Sequence, residues 1–253
     1  MHQHLITLLL AFSICIANAQ TAYIAAPSGL KLRKTASPTG EVVKTLVYGT
    51  KVTSIADSNR QVAHKTKEAE GFYLKGFWQK VIAGKDSGYV FSAFLIPVAP
   101  VGKDEIEHYY NDTTRECMPF DIYFLDSRFK AFGKPYDVHK YVGEDTVYYG
   151  GGNENKDNPY CQQGFSQKFA NGNITASYSQ GEGGAGMDVT LKGYTFNQVY
   201  AIALSMTTML NEGVMVTYEN GIVTMGPKDD GAGCYSTIEA KGGTIVWNFG
   251  CGC

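Results

Sequence analysis

The chain has 253 residues, and its 22 Lys or Arg and 24 Asp or Glu give a formal net charge of −2. Proteins dedicated to nucleic-acid binding are usually strongly basic, so this total argues against that class and we expect no nucleic-acid partner. Hydrophobic residues make up 44% and aromatic residues 13%, which excludes a chain that is disordered by composition.

The first nineteen residues have the pattern of a secretory signal. An apolar run from Leu5 to Ile16 is followed by Ala17-Asn18-Ala19. An apolar run of about a dozen residues before a small-x-small motif is typical of a cleaved signal peptide and is too short to span a bilayer. We therefore predict cleavage after Ala19 and export to the periplasm or the exterior. We expect no transmembrane segment in the mature chain.

Charge and cysteine content divide the remaining chain at a junction that contains two prolines. Residues 20–98 have a net charge of +6 and no cysteine, whereas residues 99–253 have a net charge of −8 and five cysteines. Pro97 and Pro100 lie at the junction, and proline continues neither a helix nor the interior of a β-ladder. The pattern predicts two domains, 20–98 and 103–253, joined by a linker at 99–102.

The first domain is predicted to consist of short strands. Apolar residues alternate or cluster at strand spacing in 23–25, 30–32, 42–46, 51–55, 78–82 and 88–91, with turn residues between them. Several short strands within so few residues are typical of a small all-β barrel or sandwich.

Four blocks of this region resemble, in order, the bacterial SH3 (SH3b) domain family. The blocks are Ser28–Arg33, Leu46–Val52, Trp78–Val81 and Gly88–Leu95. The resemblance implies an SH3-like barrel over 20–98 that attaches an exported bacterial protein to peptides or cell-wall polymers. The polar stretch 56–76 is longer than the family's usual connection. We interpret it as a hairpin extension that covers or remodels the usual binding groove.

Aromatic residues in or beside these blocks are the candidate ligand-binding residues of the first domain. Aromatic rings suit the recognition of flat peptide or sugar faces. The alternative, that the rings fill the core of a small domain, stays open at this point. The candidates are Tyr48, Trp78, Tyr89 and Phe91.

The second domain is predicted to be α+β, with a mostly antiparallel sheet and one main helix at about 196–211. Asn171-Gly172 and Asn220-Gly221 each separate two strand-like segments, and such pairs are typical of two-residue hairpin turns. Thr195 and Gln198 have the spacing of a capping box at the start of the helix. The helix then has an apolar stripe at helical spacing, formed by Phe196, Val199, Ile202, Ala203, Met206, Met209 and Leu210.

The last hairpin allows a prediction of strand register. If Gly242-Gly243 forms a two-residue turn, then Cys234 faces Cys251 and Ile238 faces Trp247 on a mainly apolar face. We therefore predict a Cys234–Cys251 disulfide, in keeping with an oxidising compartment. By elimination, Cys117 and Cys161 are the candidates for a second disulfide, with Cys253 as the odd thiol.

No motif for catalysis, metal binding or a cofactor was found in the sequence. The residues around Cys117 and Cys161 differ from the papain-like pattern, and there is no His-Glu-x-x-His, Gly-x-Ser-x-Gly or phosphate-binding loop. Acidic residues between 104 and 126 show no spacing that selects a catalytic pair. We expect no catalytic residue, no metal and no cofactor. The polar and aromatic segment that contains Tyr148 and Tyr149 is the candidate binding loop of this half.

The sequence favours an exported, non-catalytic binding protein of a bacterial envelope. Its first domain would bind a peptide or cell-wall polymer, and its second domain an unidentified partner. Two alternatives stay open: a cell-wall hydrolase with an unfamiliar acidic site, and a periplasmic assembly factor that acts through protein contacts. A further hypothesis is that the opposite charges of the two domains hold them together in a salt-sensitive way.

Overall fold

The computed structural model describes residues 19–56, 63–100, 102, 137–142, 163–169, 174–181, 184–228 and 233–252. These residues form two sheets of eight strands each and one α-helix. Within them, no helix is long and apolar enough to cross a membrane. The predicted signal segment up to residue 18, Cys117, Cys161, Cys253 and the segment with Tyr148 and Tyr149 lie outside the described residues.

The first sheet follows the strands predicted from the sequence and ends in a short 3-10 helix and a final short strand. Its strand order is β3-β2-β7-β6-β4-β1-β8, with β5 paired to β6. Because β3 and β8 are the edges of this order, the described strands form an open sheet, and a closed barrel is not confirmed. The strands are β1 (Gln20–Ile24), β2 (Leu30–Arg33), β3 (Val42–Leu46), β4 (Lys51–Ile55), β5 (Ala63–Ala69), β6 (Phe72–Ala83), β7 (Asp86–Phe91) and β8 (Leu95–Ile96), and the 3-10 helix is Ser92–Phe94.

The polar stretch before Trp78 forms the expected hairpin extension. Strand β5 pairs antiparallel with the first half of β6, from Ala63 opposite Phe77 to Ala69 opposite Phe72. The register shifts between Lys67 and Ala69, which is a β-bulge in β5. Strand β6 therefore pairs with β5 over its first half and with β4 over its second half.

The second sheet is antiparallel throughout its described strands. Its order is β13-β14-β15-β16-β12-β11-β10-β9, which agrees with the predicted α+β class. The strands are β9 (Asp137–Val142), β10 (Gln163–Phe169), β11 (Ile174–Gly181), β12 (Gly184–Lys192), β13 (Val214–Glu219), β14 (Ile222–Pro227), β15 (Gly233–Lys241) and β16 (Thr244–Gly252), and helix α1 spans Phe196–Leu210.

The predicted register of the last hairpin is confirmed. Cys234 faces Cys251 and Ile238 faces Trp247 in the pairing of β15 with β16. Cys234 and Cys251 form a disulfide with an S–S distance of 2.03 Å. The turn between β13 and β14 is also as predicted, since Asn220 and Gly221 both have positive φ, at 52° and 87°.

Helix α1 begins with the predicted capping box. The Gln198 amide donates to the Thr195 hydroxyl, and the Thr195 amide donates to the Gln198 side chain. The helix packs against β14, β15 and β16 on one side and against the 3-10 helix and β8 on the other. Its buried positions therefore extend beyond one stripe and include Tyr200, Ala201 and Ser205. The helix forms the middle layer between the two sheets.

Hydrogen bonds attach α1 to the second sheet at its C-terminal end. The Thr207 and Ser236 hydroxyls lie 2.9 Å apart in the core, and the Trp247 indole donates to the Ser236 hydroxyl at 3.2 Å. Just beyond the helix, the Asn211 side chain donates to the Cys234 carbonyl and accepts from the Cys234 amide. Buried polar groups satisfied in this way fix how the helix lies on the sheet.

Apolar and aromatic packing joins the two halves. Phe72, Leu74 and Trp78 of the first sheet belong to one continuous core cluster with the α1 and second-sheet residues. A smaller cluster joins Ala25 and Ile96 to Ala201 of α1. The ion pairs among the described residues, Lys34–Glu41, Lys44–Asp86 and Lys67–Glu70, all lie within the first half. Among the described residues, buried apolar side chains therefore join the two halves, whereas the sequence suggested that opposite charges would do so.

Candidate functional site

Three of the four aromatic candidates of the SH3b region lie in the core. The exposed fractions of Trp78, Tyr89 and Phe91 are 4%, 9% and 5%. The β5 extension covers two of these rings, because the His64 ring stacks on Trp78 at 5.4 Å and meets Phe91 edge-on at 5.0 Å. The Trp78 indole nitrogen is buried and has no hydrogen-bond partner among the described residues. Tyr48, at the turn after β3, is half-buried.

An aromatic cleft of about 460 Å³ lies where the β5–β6 hairpin meets the second half. Clefts at the junction of two structural units are frequent positions for ligand sites. We call it the aromatic cleft; its lining includes Phe72, Tyr73, Lys75, Phe196, Asn197 and Tyr218.

Three elements place the aromatic rings of this cleft. Alternation along β6 buries Phe72 and leaves Tyr73 on the opposite, exposed face. The capping box starts α1 so that Phe196 is its first residue. The Asn220-Gly221 turn holds the end of β13, where Tyr218 lies.

Phe72 is the centre of the ring cluster behind the cleft. Its ring centroid lies 5.9 Å from that of Phe196, 5.4 Å from that of Tyr200 and 5.5 Å from that of Tyr218. The Tyr218 ring is stacked on Phe72 with an interplanar angle of 25°. Because one face of Tyr218 is fixed in this way, the ring is presented to the cleft in a defined orientation.

A second cleft of about 410 Å³ adjoins the aromatic one, on the other side of Lys75 and Asn197. We call it the polar cleft; besides those two residues its lining includes Ser54, Gln79, Ser92 and Thr195. The Asn197 side-chain amide donates to the Lys75 carbonyl, between the two clefts. Among the described residues that line either cleft, Lys75 has the only charged side chain.

A hydrogen-bonded pair lies near the aromatic cluster. The Tyr200 hydroxyl donates to the Glu68 carboxylate at 3.0 Å. Burial raises the pKa of the Glu68 carboxyl, and the hydrogen bond from Tyr200 opposes that shift. Burial, together with the neighbouring carboxylate, raises the pKa of Tyr200 well above its ordinary value.

The two clefts offer aromatic faces, hydroxyl and amide groups, and the Lys75 ammonium group. These are groups that bind and orient a ligand. No group of three or more His, Cys, Asp or Glu that could hold a metal is present in the part of the chain that the structure describes.

The cleft residues Phe72, Tyr73, Phe196 and Tyr218 were not predicted as a site. Phe72 and Tyr73 lie in the extension that departs from the SH3b pattern, and Tyr218 lies 146 positions after Phe72. The sequence does contain one signal of this site. Phe72 and Tyr73 are adjacent in a polar hairpin, so they lie on opposite faces of the strand, and the apolar Phe72 needs a partner on its face.

Comparison with known protein families identifies the region of the first sheet. Residues 28–96 match the family model described as "Bacterial SH3 domain". No curated protein and no solved structure gave a significant match to the chain. The match confirms the SH3b resemblance for this region, which is a class of domain associated with binding cell-wall material or peptides. It ends at Ile96 and so leaves α1 and the second sheet outside the family.

Proposed function

We propose that the protein is an exported, non-catalytic binding protein of the bacterial envelope, and that the cleft between the SH3b domain and the second half is its main ligand site. The observation that carries this proposal is the combination of the SH3b match over 28–96 with an aromatic cleft that residues of that match and of the second half build together.

The exposure of the aromatic residues supports this choice of site. Tyr73 and Tyr218 are 42% and 41% exposed at the cleft, whereas Trp78 is 4% exposed. A ring in the core supports the fold but has little surface to offer a ligand. In this proposal the core residues Trp78, Tyr89 and Phe91 support the binding surface and do not contact the ligand. Tyr48 stays a candidate contact on the SH3b surface, and Tyr148 and Tyr149 stay candidates for a loop of the second half.

The disulfide supports export. Disulfides persist in oxidising compartments such as the periplasm and the exterior, and Cys234–Cys251 bridges two neighbouring strands of the second sheet. An apolar N-terminal run followed by Ala17-Asn18-Ala19 would direct the chain there. The natural ligands are then envelope peptides or wall polymers.

The test is co-sedimentation of the mature chain, residues 20–253, with purified peptidoglycan. We expect the protein to pellet with the polymer and Tyr218→Ala to reduce the bound fraction. Tyr235→Ala is a matched control, because Tyr235 is 42% exposed and lies on the face of the second sheet opposite the helix. Equal loss of binding in both variants, or no sedimentation of the unaltered protein, would count against the cleft.

The same samples test whether the protein is catalytic. Release of soluble sugars or peptides from the polymer during incubation would favour the hydrolase alternative, and an unchanged polymer is the result we expect.

A further inference from the structure

We propose that the aromatic cleft binds a glycan strand that carries acidic substituents, with sugar rings stacked on Tyr218 and Tyr73 and an acidic group paired with Lys75. This inference rests on the proposed function and specifies the ligand class of the same site.

The first argument is the form of the aromatic surface. Tyr218 has one face against Phe72 and remains 41% exposed, and Tyr73 has the Lys65 ammonium 4.9 Å from its ring centroid and remains 42% exposed. Each ring is therefore supported on one side while part of it stays accessible. Supported and partly exposed tyrosine rings suit the apolar C–H face of a sugar.

The second argument is the polar group beside the rings. The amide nitrogen of Asn197 is occupied by the Lys75 carbonyl, which fixes the side chain and leaves its oxygen as an acceptor. A sugar ring presents several hydroxyl donors at fixed positions. A fixed amide next to aromatic faces can therefore orient a sugar in the cleft.

The third argument is the shape of the cleft mouth. Two tight turns border it, at Gly71 and Gly221, both with positive φ. A Cβ at Gly221 would meet nothing within 4 Å, and one at Gly71 would meet only the Tyr218 ring, at 3.6 Å. These side-chain-free turns leave room for a polymer to continue beyond the cleft on either side.

The fourth argument is charge. Lys75 lines both clefts, and no carboxylate lines either one among the described residues. An ammonium group without a carboxylate neighbour in the site attracts an anionic substituent of the ligand, such as a carboxylate on the sugar. A neutral glycan would still use the aromatic faces and would bind more weakly.

The test is isothermal titration of the mature chain with three probes at about 0.15 M salt. The probes are a neutral N-acetylglucosamine tetramer, a galacturonate tetramer and a tetraglutamate peptide. We expect both oligosaccharides to bind, the acidic one about tenfold more tightly, which corresponds to about 1.4 kcal/mol. Lys75→Gln should reduce that preference while keeping the neutral probe bound, because Lys65 remains beside the Tyr73 ring. Tyr218→Ala should weaken both oligosaccharides about tenfold, and Tyr235→Ala should weaken neither.

The outcomes separate this inference from the proposed function. If the peptide binds and neither oligosaccharide does, the glycan assignment is wrong and a peptide is the ligand. If the protein sediments with peptidoglycan but binds no oligosaccharide, this inference is overturned and the proposed function stands. If it does neither, both are overturned. Thermal unfolding of each variant, with a midpoint close to that of the unaltered protein, shows that the substitutions left the fold intact.

Discussion

The Tyr200 hydroxyl donates a 3.0 Å hydrogen bond to the Glu68 carboxylate, and this bond joins helix α1 to the β5 extension of the SH3b domain. Glu68 lies at the bulge in β5, between the two residues where the register shifts. Tyr200 is fully buried and Glu68 is half-buried, so the carboxylate is held in a site where its charge is poorly solvated.

The first prediction concerns pH. Burial raises the pKa of Glu68 in the folded state, so the protonated carboxyl is favoured by folding. The contribution of protonated Glu68 to the free energy of unfolding is therefore fully present below the unfolded pKa of about 4.3. It is lost as the pH rises through the pKa of Glu68 in the folded state. Glu68→Gln keeps a side chain that can accept from Tyr200 and cannot ionise. We expect this variant to gain stability relative to the unaltered protein as the pH rises from about 4 to 7.

The measurement is the free energy of unfolding by urea at several pH values. Glu70→Gln is the control, because Glu70 pairs with Lys67 on the exposed side of the hairpin and its pKa is lowered by that pair. A difference between Glu68→Gln and the unaltered protein that stays constant over this pH range would contradict the assigned cause.

The second prediction concerns Phe72. Its ring contacts Phe196, Tyr200 and Tyr218 and has little exposure, so Phe72→Ala should lower the free energy of unfolding by about 3 kcal/mol. Tyr73→Ala, at the next and exposed position, should change it by about 0.5 kcal/mol or less. Urea unfolding followed by tryptophan fluorescence compares the two variants, and equal effects would contradict the role of Phe72 as the ring that joins the halves.

The third prediction concerns the disulfide. Cys234 and Cys251 are separated by 17 positions, and a crosslink over a loop of that length stabilises by about 3 kcal/mol in the chain-entropy model. The Cys234→Ala/Cys251→Ala variant should unfold at a correspondingly lower urea concentration. Peptide mass mapping without reduction is the direct check, and a bridge between Cys251 and Cys253 would contradict the register.

The fourth prediction concerns the start of α1. Thr195→Ala removes the hydroxyl that accepts from the Gln198 amide and should cost about 1 kcal/mol. Thr195→Ser keeps the hydroxyl and should restore most of that loss. Because Phe196 and Asn197 follow the cap directly, we also expect Thr195→Ala to weaken ligand binding. Urea unfolding and the peptidoglycan assay, run on both variants, measure the two effects, and full stability of Thr195→Ala would contradict the role of the cap.

Local features were predictable from the sequence because each depends on few neighbouring residues. The pair Gly242-Gly243 specifies a tight turn, and the turn then sets which residues face each other along β15 and β16. The capping box at Thr195 and Gln198 is likewise a short-range arrangement. The SH3b strands follow from period-2 alternation and from the turns between them.

The contact between the halves was not predictable in this way. Phe72 and Tyr200 are 128 positions apart, and only the docking of the hairpin on α1 brings them together. Tyr200 and Ala201 lie off the apolar stripe that predicted the helix, so the second buried side of α1 was not apparent. Tyrosine is compatible with both a core and a surface, and alanine is too small to mark either.

The binding candidates Trp78 and Phe91 illustrate the same limit. An aromatic residue in a small domain has the same sequence signature whether it faces a ligand or the core. In this protein, strand β5 buries these two residues, because its His64 ring covers both the Trp78 ring and the Phe91 ring. That strand lies in the part of the region where the SH3b pattern gives no guidance.

The position of α1 between the two sheets makes the first domain dependent on the second half for the cover of its apolar surface. A gene fragment that ended after residue 98 would encode a domain with Phe72, Leu74 and Ile96 uncovered. A contiguous apolar patch of this kind promotes aggregation and removal by cellular quality control. Many binding modules can be exchanged between genes as independent cassettes. Here the extended hairpin and the second half share one buried core, so we expect them to fold as one unit.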